Sequence, residues 1–176
     1  KLPDGQAGAE KALNHALVGN AGANMIYESA GMHASLLGFS LESLVIDNDI
    51  IGATQRTIKG IEVNDERLSF ETIKDVCLNG PGHFLGSDQT LQLMQTEYLY
   101  PGVGDRKSPN EWNEQGALDV AQRAMAKVEE VLGHHFPSHV AEAVDAEIRR
   151  RFPVKLDRAH MLPPVDSAAA RRVGSR

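Results

Sequence analysis

A single short segment, residues 24–27, is the only strong β-strand candidate in a chain whose other segments carry helical patterns. The run NMIY is largely apolar, follows a glycine-bearing turn and ends at the small residues SAG, as a buried strand does. One strand cannot make a sheet, because its backbone N–H and C=O groups need a neighbouring strand. We expect this strand to pair with polypeptide outside these 176 residues. The alternative is pairing between copies of the chain in a homo-oligomer.

The remaining segments are typical of helices that begin at capping residues. Asp4, Ser40, Asn64 and Ser87 stand at N-cap positions, and the sequence SPNE at 108–111 combines a capping box with proline at the first helical position. The predicted helices cover residues 4–20, 41–59, 65–78, 88–98, 117–132 and 139–152. A further helix is predicted to begin at residue 109.

Apolar stripes predict the buried faces of these helices. The first helix is expected to bury Leu13 and Leu17, and the second a stripe that runs from Leu41 through Leu44 to Ile58. Cys77, the one cysteine, follows Val76 on an apolar face and is expected to be a buried structural thiol. A single cysteine excludes an intrachain disulfide and a cysteine-based zinc site.

Composition excludes several classes of function. The net charge of -6, with 24 acidic and 18 basic residues, argues against a nucleic-acid surface, which needs a basic face. No apolar run approaches the roughly 18 residues of a membrane span. The chain starts at Lys1 without a signal peptide, so we expect a mid-protein start and a cytoplasmic location.

Periodicity ends near Pro153, which suggests a division of the chain. We assign residues 1–152 to the folded part and residues 153–176 to an extended tail, which we expect to be flexible.

Several stretches, in order, resemble the C-terminal part of the trimethylamine methyltransferase family, which includes relatives acting on glycine betaine. They are DGQAGAEKAL (4–13), AGANMIYESAGM (22–32), SLESLVIDNDIIG (40–52), KGIEVNDERLSFETI (59–73), GPGHFLGSDQTL (80–91) and EWNEQGALDVAQRA (111–124). The resemblance covers roughly residues 1 to 135. It implies an α/β fold class: the C-terminal portion of a (β/α)8 TIM-type barrel with additional C-terminal helices, this chain being mostly helical. A complete barrel needs about 250 residues.

The resemblance also implies a reaction. Family members transfer a methyl group from a methylated amine to the Co(I) corrinoid held by a separate small protein, so no cofactor is expected to bind this chain directly. Some members carry pyrrolysine; none is present here, which favours the quaternary-amine branch. We expect the chain alone to be inactive. The alternative is a non-catalytic helical interaction or scaffold protein derived from that barrel.

A pocket for a methylated ammonium needs carboxylates or aromatic faces. The residues after the predicted strand supply Tyr27, Glu28 and His33 as candidates for substrate binding, and the glycine-rich turn GPGHFLG (80–86) supplies His83. Glu28 could instead cap a loop or be solvated, and His33 could instead lie on a loop surface. His83 could instead belong to a tight connection in which Phe84 and Leu85 fill the core. No catalytic residue is assigned.

The segment GHHFPSH (133–139) contains three histidines and raises the question of a metal. Pro137 lies between His135 and His139 and disfavours a continuous helix face, and no HExxH pattern is present. We therefore expect a solvated turn and no metal site.

Overall fold

The computed structural model describes residues 2–136 and 139–163. The chain divides into two compact units, Lys1–Ala124 and Met125–Arg176. The described residues are mostly helical, which confirms that prediction. The helices are α1 (Gly5–Asn20), α2 (Leu41–Lys59), α3 (Asp65–Leu68), α4 (Phe70–Leu78), α5 (Asp88–Thr96), α6 (Pro109–Glu114), α7 (Val120–His134) and α8 (Glu142–Arg151), followed by a 3₁₀ turn (Arg158–Met161). Residues 164–176 of the predicted tail lie outside the described residues.

The predicted caps are confirmed. Asp4 accepts the Ala7 N–H at 3.0 Å, and Ser40 accepts the Ser43 N–H at 3.0 Å. Ser108 forms the full capping box, with Pro109 in the first turn. Each such cap stabilises a helix by about 1 kcal/mol, so local chemistry determines where these helices begin.

The predicted helix after Asn64 is interrupted. Asn64 caps it as expected, but Ser69 has a left-handed φ of 57° and separates α3 from α4. A left-handed residue cannot continue a right-handed helix, so the single predicted element becomes a short turn of helix followed by a longer one.

The predicted strand at 24–27 is wrong for the described chain. These residues are irregular, and the strands are instead β1 (Met32–His33) and β2 (Gly38–Phe39). The two pair antiparallel, with Met32 opposite Phe39 and His33 opposite Gly38. The physical reason is that no neighbouring strand meets residues 24–27 within the described ranges, so their backbone has no ladder to join.

The predicted buried faces are also corrected. Leu13 and Leu17 of α1 and Leu41, Leu44 and Ile58 of α2 are exposed. The buried residues of α2 are Ser43, Asp47 and Thr54. Cys77 is exposed, whereas its neighbour Val76 is buried. The apolar stripes have no cover in the part of the chain that the structure describes, while the polar faces turn inward to bond with each other.

In the second unit, α8 and the 3₁₀ turn share one carboxylate. Asp145 accepts from Arg149 Nε at 2.9 Å and from Arg158 at 2.7 Å. The hydrogen bond from Arg149, followed by that from Arg158, lowers the pKa of the Asp145 carboxyl.

None of the helices in the described ranges combines the length and the apolar composition that a membrane crossing requires.

A second carboxylate, Asp49 of α2, holds the loop that follows Pro101. It accepts three successive backbone N–H groups, from Gly102 at 2.9 Å, Val103 at 2.8 Å and Gly104 at 3.0 Å. Val103 is buried, and its carbonyl accepts Arg123 Nε at 2.8 Å. Asp49 thereby ties the loop to α2 and brings Val103 into the small core.

Replacing Asp49 by alanine is expected to destabilise the chain by about 2–3 kcal/mol, because three N–H groups lose a charged acceptor. Urea denaturation measures the loss. Asp75→Ala is the matched control, since the exposed Asp75 side chain makes no hydrogen bond in the described part of the chain. A loss no larger than that of the control would show that the loop does not depend on Asp49.

Candidate functional site

A cleft of about 700 Å³ opens between α1, the irregular segment 26–29 and the β1–β2 hairpin. Tyr27, Glu28 and His33 all line it. The structure therefore brings together three of the four side chains predicted to bind substrate, although their role in binding stays a prediction. The fourth, His83, is exposed and does not line this cleft.

The turn that carries His83 is shaped by glycine. A side chain at position 80 would approach the Cα atom of Val76 to 3.0 Å, so only glycine lets the chain leave α4 this closely. Phe84 and Leu85 are exposed. The alternative in which these two residues fill the core is therefore wrong for the described chain.

The buried carboxylate of Asp47 holds Lys11, which lines the cleft, and the backbone of Gly31, which precedes the lining residue Met32. Asp47 is 3% exposed. Its Oδ2 atom accepts from Lys11 Nζ of α1 and, at 2.7 Å, from the backbone N–H of Gly31. Gly31 has a φ of 79°, and a Cβ atom there would lie 2.5 Å from the Phe39 ring, so the approach to Asp47 requires glycine.

One helical turn before Asp47, Ser43 contacts the predicted site residue His33. Ser43 Oγ lies 2.5 Å from His33 Nε2, and Ser43 is 1% exposed. Burial, followed by the positive charge of Lys11, lowers the pKa of His33 below its usual 6.5, while Asp47 and Asp4 oppose the shift. The imidazole is therefore neutral at pH 7.

The charges that line the cleft favour a cation. Asp4, Glu10 and Glu28 line it, and Lys11 is the one lysine or arginine among its described lining residues. The charge of Lys11 is matched by Asp47. Tyr27 is 82% exposed and offers an aromatic face, which attracts a methylated ammonium. We call the three carboxylates Asp4, Glu10 and Glu28 the acidic rim of the cleft; that it binds a ligand stays a prediction.

The rim also contains left-handed backbone at residues other than glycine. Glu28 has a φ of 55°, and the consecutive residues Ala34, Ser35 and Leu36 have φ of 51°, 54° and 68°. Each such residue costs roughly 1–2 kcal/mol. All four line the cleft, and strain of this kind is concentrated at functional sites.

His15 is a further polar residue of the cleft wall. It is 9% exposed, and its Nδ1 is the one buried side-chain nitrogen or oxygen without a hydrogen-bond partner among the described residues. It lies one turn after Lys11 on α1. The inward face of α1 is therefore polar here, whereas Leu13 and Leu17 face outward.

Sequence reasoning missed Lys11, Ser43 and Asp47. One signal was available: Ser43 and Asp47 are spaced by one turn along a helix whose apolar stripe lies elsewhere, so they form a second, polar face. The spacing of residues along the sequence does not show which residues bond to Ser43 and Asp47. Lys11 and Asp47 are 36 residues apart, and Gly31 contributes only its backbone.

Across residues 2–136 and 139–163, no group of three His, Cys, Asp or Glu side chains is placed to hold a metal ion. His134 Nδ1 lies 2.9 Å from the Glu130 carbonyl oxygen of its own helix. Pro137 lies outside the described residues.

Comparison with known proteins sets the class of this chain. The family model described as trimethylamine methyltransferase (MTTB) matches residues 1–156. Trimethylamine methyltransferase MttB1 of Methanosarcina acetivorans is 40% identical over 162 residues, which are 90% of this chain and 30% of the relative. In Desulfitobacterium hafniense, a trimethylamine methyltransferase MttB is 34% identical over 85% of this chain and 29% of its own length. A glycine betaine methyltransferase of that species is 27% identical over 85% and 30%.

These relatives are all methyltransferases of methylated amines by name. The chain belongs to the trimethylamine methyltransferase family, which confirms the resemblance seen in the sequence. It spans about 30% of the length of the curated relatives that it matches.

Replacing Lys11 by methionine is expected to raise the pKa of His33, because the change removes a nearby cation and leaves Asp47 negative. An NMR titration of the imidazole measures this, with Lys74→Met on α4 as the control. Because the folded-state pKa lies below the reference value of 6.5, the stability that depends on neutral His33 is complete above about pH 6.5. It declines as the pH falls through the lowered pKa. An unchanged or lower pKa in Lys11→Met would contradict the electrostatic account.

Proposed function

We propose that this chain is the C-terminal part of a cytoplasmic, corrinoid-dependent methyltransferase. The enzyme would move a methyl group from a methylated amine, such as trimethylamine or glycine betaine, to the Co(I) corrinoid of a partner protein. Family membership supports the reaction class. The observation that carries the proposal is the cleft that joins Tyr27, Glu28 and His33 under an acidic rim.

The main contribution of the protein to methyl transfer would be to orient the two substrates. The N–CH3 bond breaks, the methyl carbon bonds to cobalt with the electron pair of Co(I), and the nitrogen keeps the pair of the broken bond. A quaternary ammonium such as glycine betaine leaves as a neutral tertiary amine, so no proton transfer is needed. Trimethylamine leaves as neutral dimethylamine when it is bound in its protonated form. Positioning and charge stabilisation are then the contributions of the enzyme.

The residues of the cleft suit those contributions. Glu28 supplies a negative charge and Tyr27 an aromatic face for the ammonium. His33, neutral at pH 7 through its lowered pKa, adds a polar contact without a positive charge that would repel the substrate. The corrinoid of the partner protein is the second substrate and would approach from the open side of the cleft.

A barrel completed by further polypeptide is part of the proposal. The chain covers about 30% of its relatives, and many large apolar side chains lie exposed, among them Leu37 at 90%. Covering them needs more protein. We expect no methyl transfer to cob(I)alamin by this chain alone, and activity once the remaining portion of the barrel is supplied. Robust transfer by the chain alone would contradict this.

The same exposed apolar residues favour, as a second candidate, a non-catalytic helical interaction protein. The two candidates differ in the ligand binding that they predict for the cleft. The enzyme portion is expected to bind a methylated ammonium beside Glu28, whereas a scaffold protein is not.

Replacing Glu28 by glutamine is expected to weaken binding of tetramethylammonium to the full 176-residue chain about fivefold, through loss of one exposed charge. Tyr27→Leu is expected to have a similar effect through loss of the aromatic face. Changes in the NMR amide signals of residues 27–33 measure the affinity, with the exposed Glu62→Gln as the matched control. Absence of saturable binding, or equal affinity in Glu28→Gln and Glu62→Gln, would refute the ammonium site.

A further inference from the structure

The direction of the hydrogen bond between Ser43 and His33 decides which atom of the His33 ring carries its proton. Ser43 Oγ and His33 Nε2 are 2.5 Å apart. Either the serine hydroxyl donates to Nε2, or Nε2–H donates to the hydroxyl. In the first case the single proton of the neutral ring is on Nδ1; in the second it is on Nε2, and Nδ1 has only a lone pair.

Burial of Ser43 favours the first arrangement. Its side chain has 1% exposure, and the described structure gives its Oγ no hydrogen-bond partner other than His33. If Nε2 donated, the O–H of this buried serine would be left without an acceptor among the described residues. A buried donor left unsatisfied costs about 1–3 kcal/mol, so the hydroxyl donates.

The other nitrogen of His33, Nδ1, has no hydrogen-bond partner among the described residues, where Nε2 pairs with Ser43. His33 lines the cleft.

We propose that Ser43 is a positioning residue that holds His33 in the Nδ1–H tautomer, so that the cleft presents a neutral N–H donor beside its acidic rim. The proposal rests on the proposed function only in taking the cleft as the substrate site. The lowered pKa of His33 agrees with a ring that carries one proton.

The tautomer has a consequence for the ligand. An N–H donor suits a ligand atom with a lone pair, such as the oxygen of a carboxylate. Together with Glu28 and Tyr27, it suits a methylated ammonium that also carries an acceptor group. A lone pair at Nδ1 would instead suit a ligand with an N–H.

Long-range ¹H–¹⁵N NMR of the full chain, without ligand and at a pH above the His33 titration, tests the proposal directly. The pattern of couplings tells an Nδ1–H ring from an Nε2–H ring. We expect Nδ1–H for His33 in the unmodified chain, loss of that form in Ser43→Ala, and its retention in Ser43→Thr, which keeps a hydroxyl. Ser35→Ala, at an exposed position on the same cleft, is the matched control.

An Nε2–H ring in the unmodified chain overturns the proposal without any variant, even if the Ser43 variants do not fold. An Nδ1–H ring that persists in a folded Ser43→Ala also overturns it. The proposed function is tested separately by ammonium binding at Glu28, so failure of one does not depend on failure of the other.

Discussion

The carboxylate of Asp47 is the constraint on which the site depends. It is buried in α2, carries a negative charge, and is matched by Lys11 of α1 and by the N–H of Gly31. A buried charge of this kind is tolerated only with its partners, and removal of one partner of a buried pair costs about 3–5 kcal/mol. Asp47 thereby fixes α1 and the start of the hairpin against α2, the most extensive helix–helix contact among the described elements.

The chemistry of the cleft follows from this junction. With Lys11 neutralised by Asp47, the remaining charged side chains among the described lining residues are the carboxylates Asp4, Glu10 and Glu28, which favour a cation. Ser43, one turn away on the same helix face, holds His33. The strained backbone at Glu28 and at 34–36 is tolerated because the elements on either side are held in place. A polar helix face thus supports the proposed ammonium site, while the apolar residues Leu13 and Leu17 of α1 and Leu41, Leu44 and Ile58 of α2 are exposed.

Local features were predictable from the sequence, and long-range ones were not. The caps at Asp4, Ser40 and Ser108 depend on side chains that bond within three residues, so the pattern is sufficient. Tyr27, Glu28 and His33 line one cleft, as their closeness in sequence suggested, and their role in binding stays a prediction. The strand at 24–27 and the apolar stripes of α1 and α2 were misjudged because burial depends on what covers a segment. The Lys11–Asp47 pair joins residues 36 positions apart, which one sequence does not reveal.

Amide hydrogen exchange at Gly31 tests most directly whether Asp47 assembles the cleft. In the unmodified chain, the account predicts a protected Gly31 amide. In Asp47→Ala it predicts exchange at least about tenfold faster, because the N–H loses its charged acceptor, while the amides of α4 keep their protection. A Gly31 amide that stays equally protected in the folded variant would contradict the account.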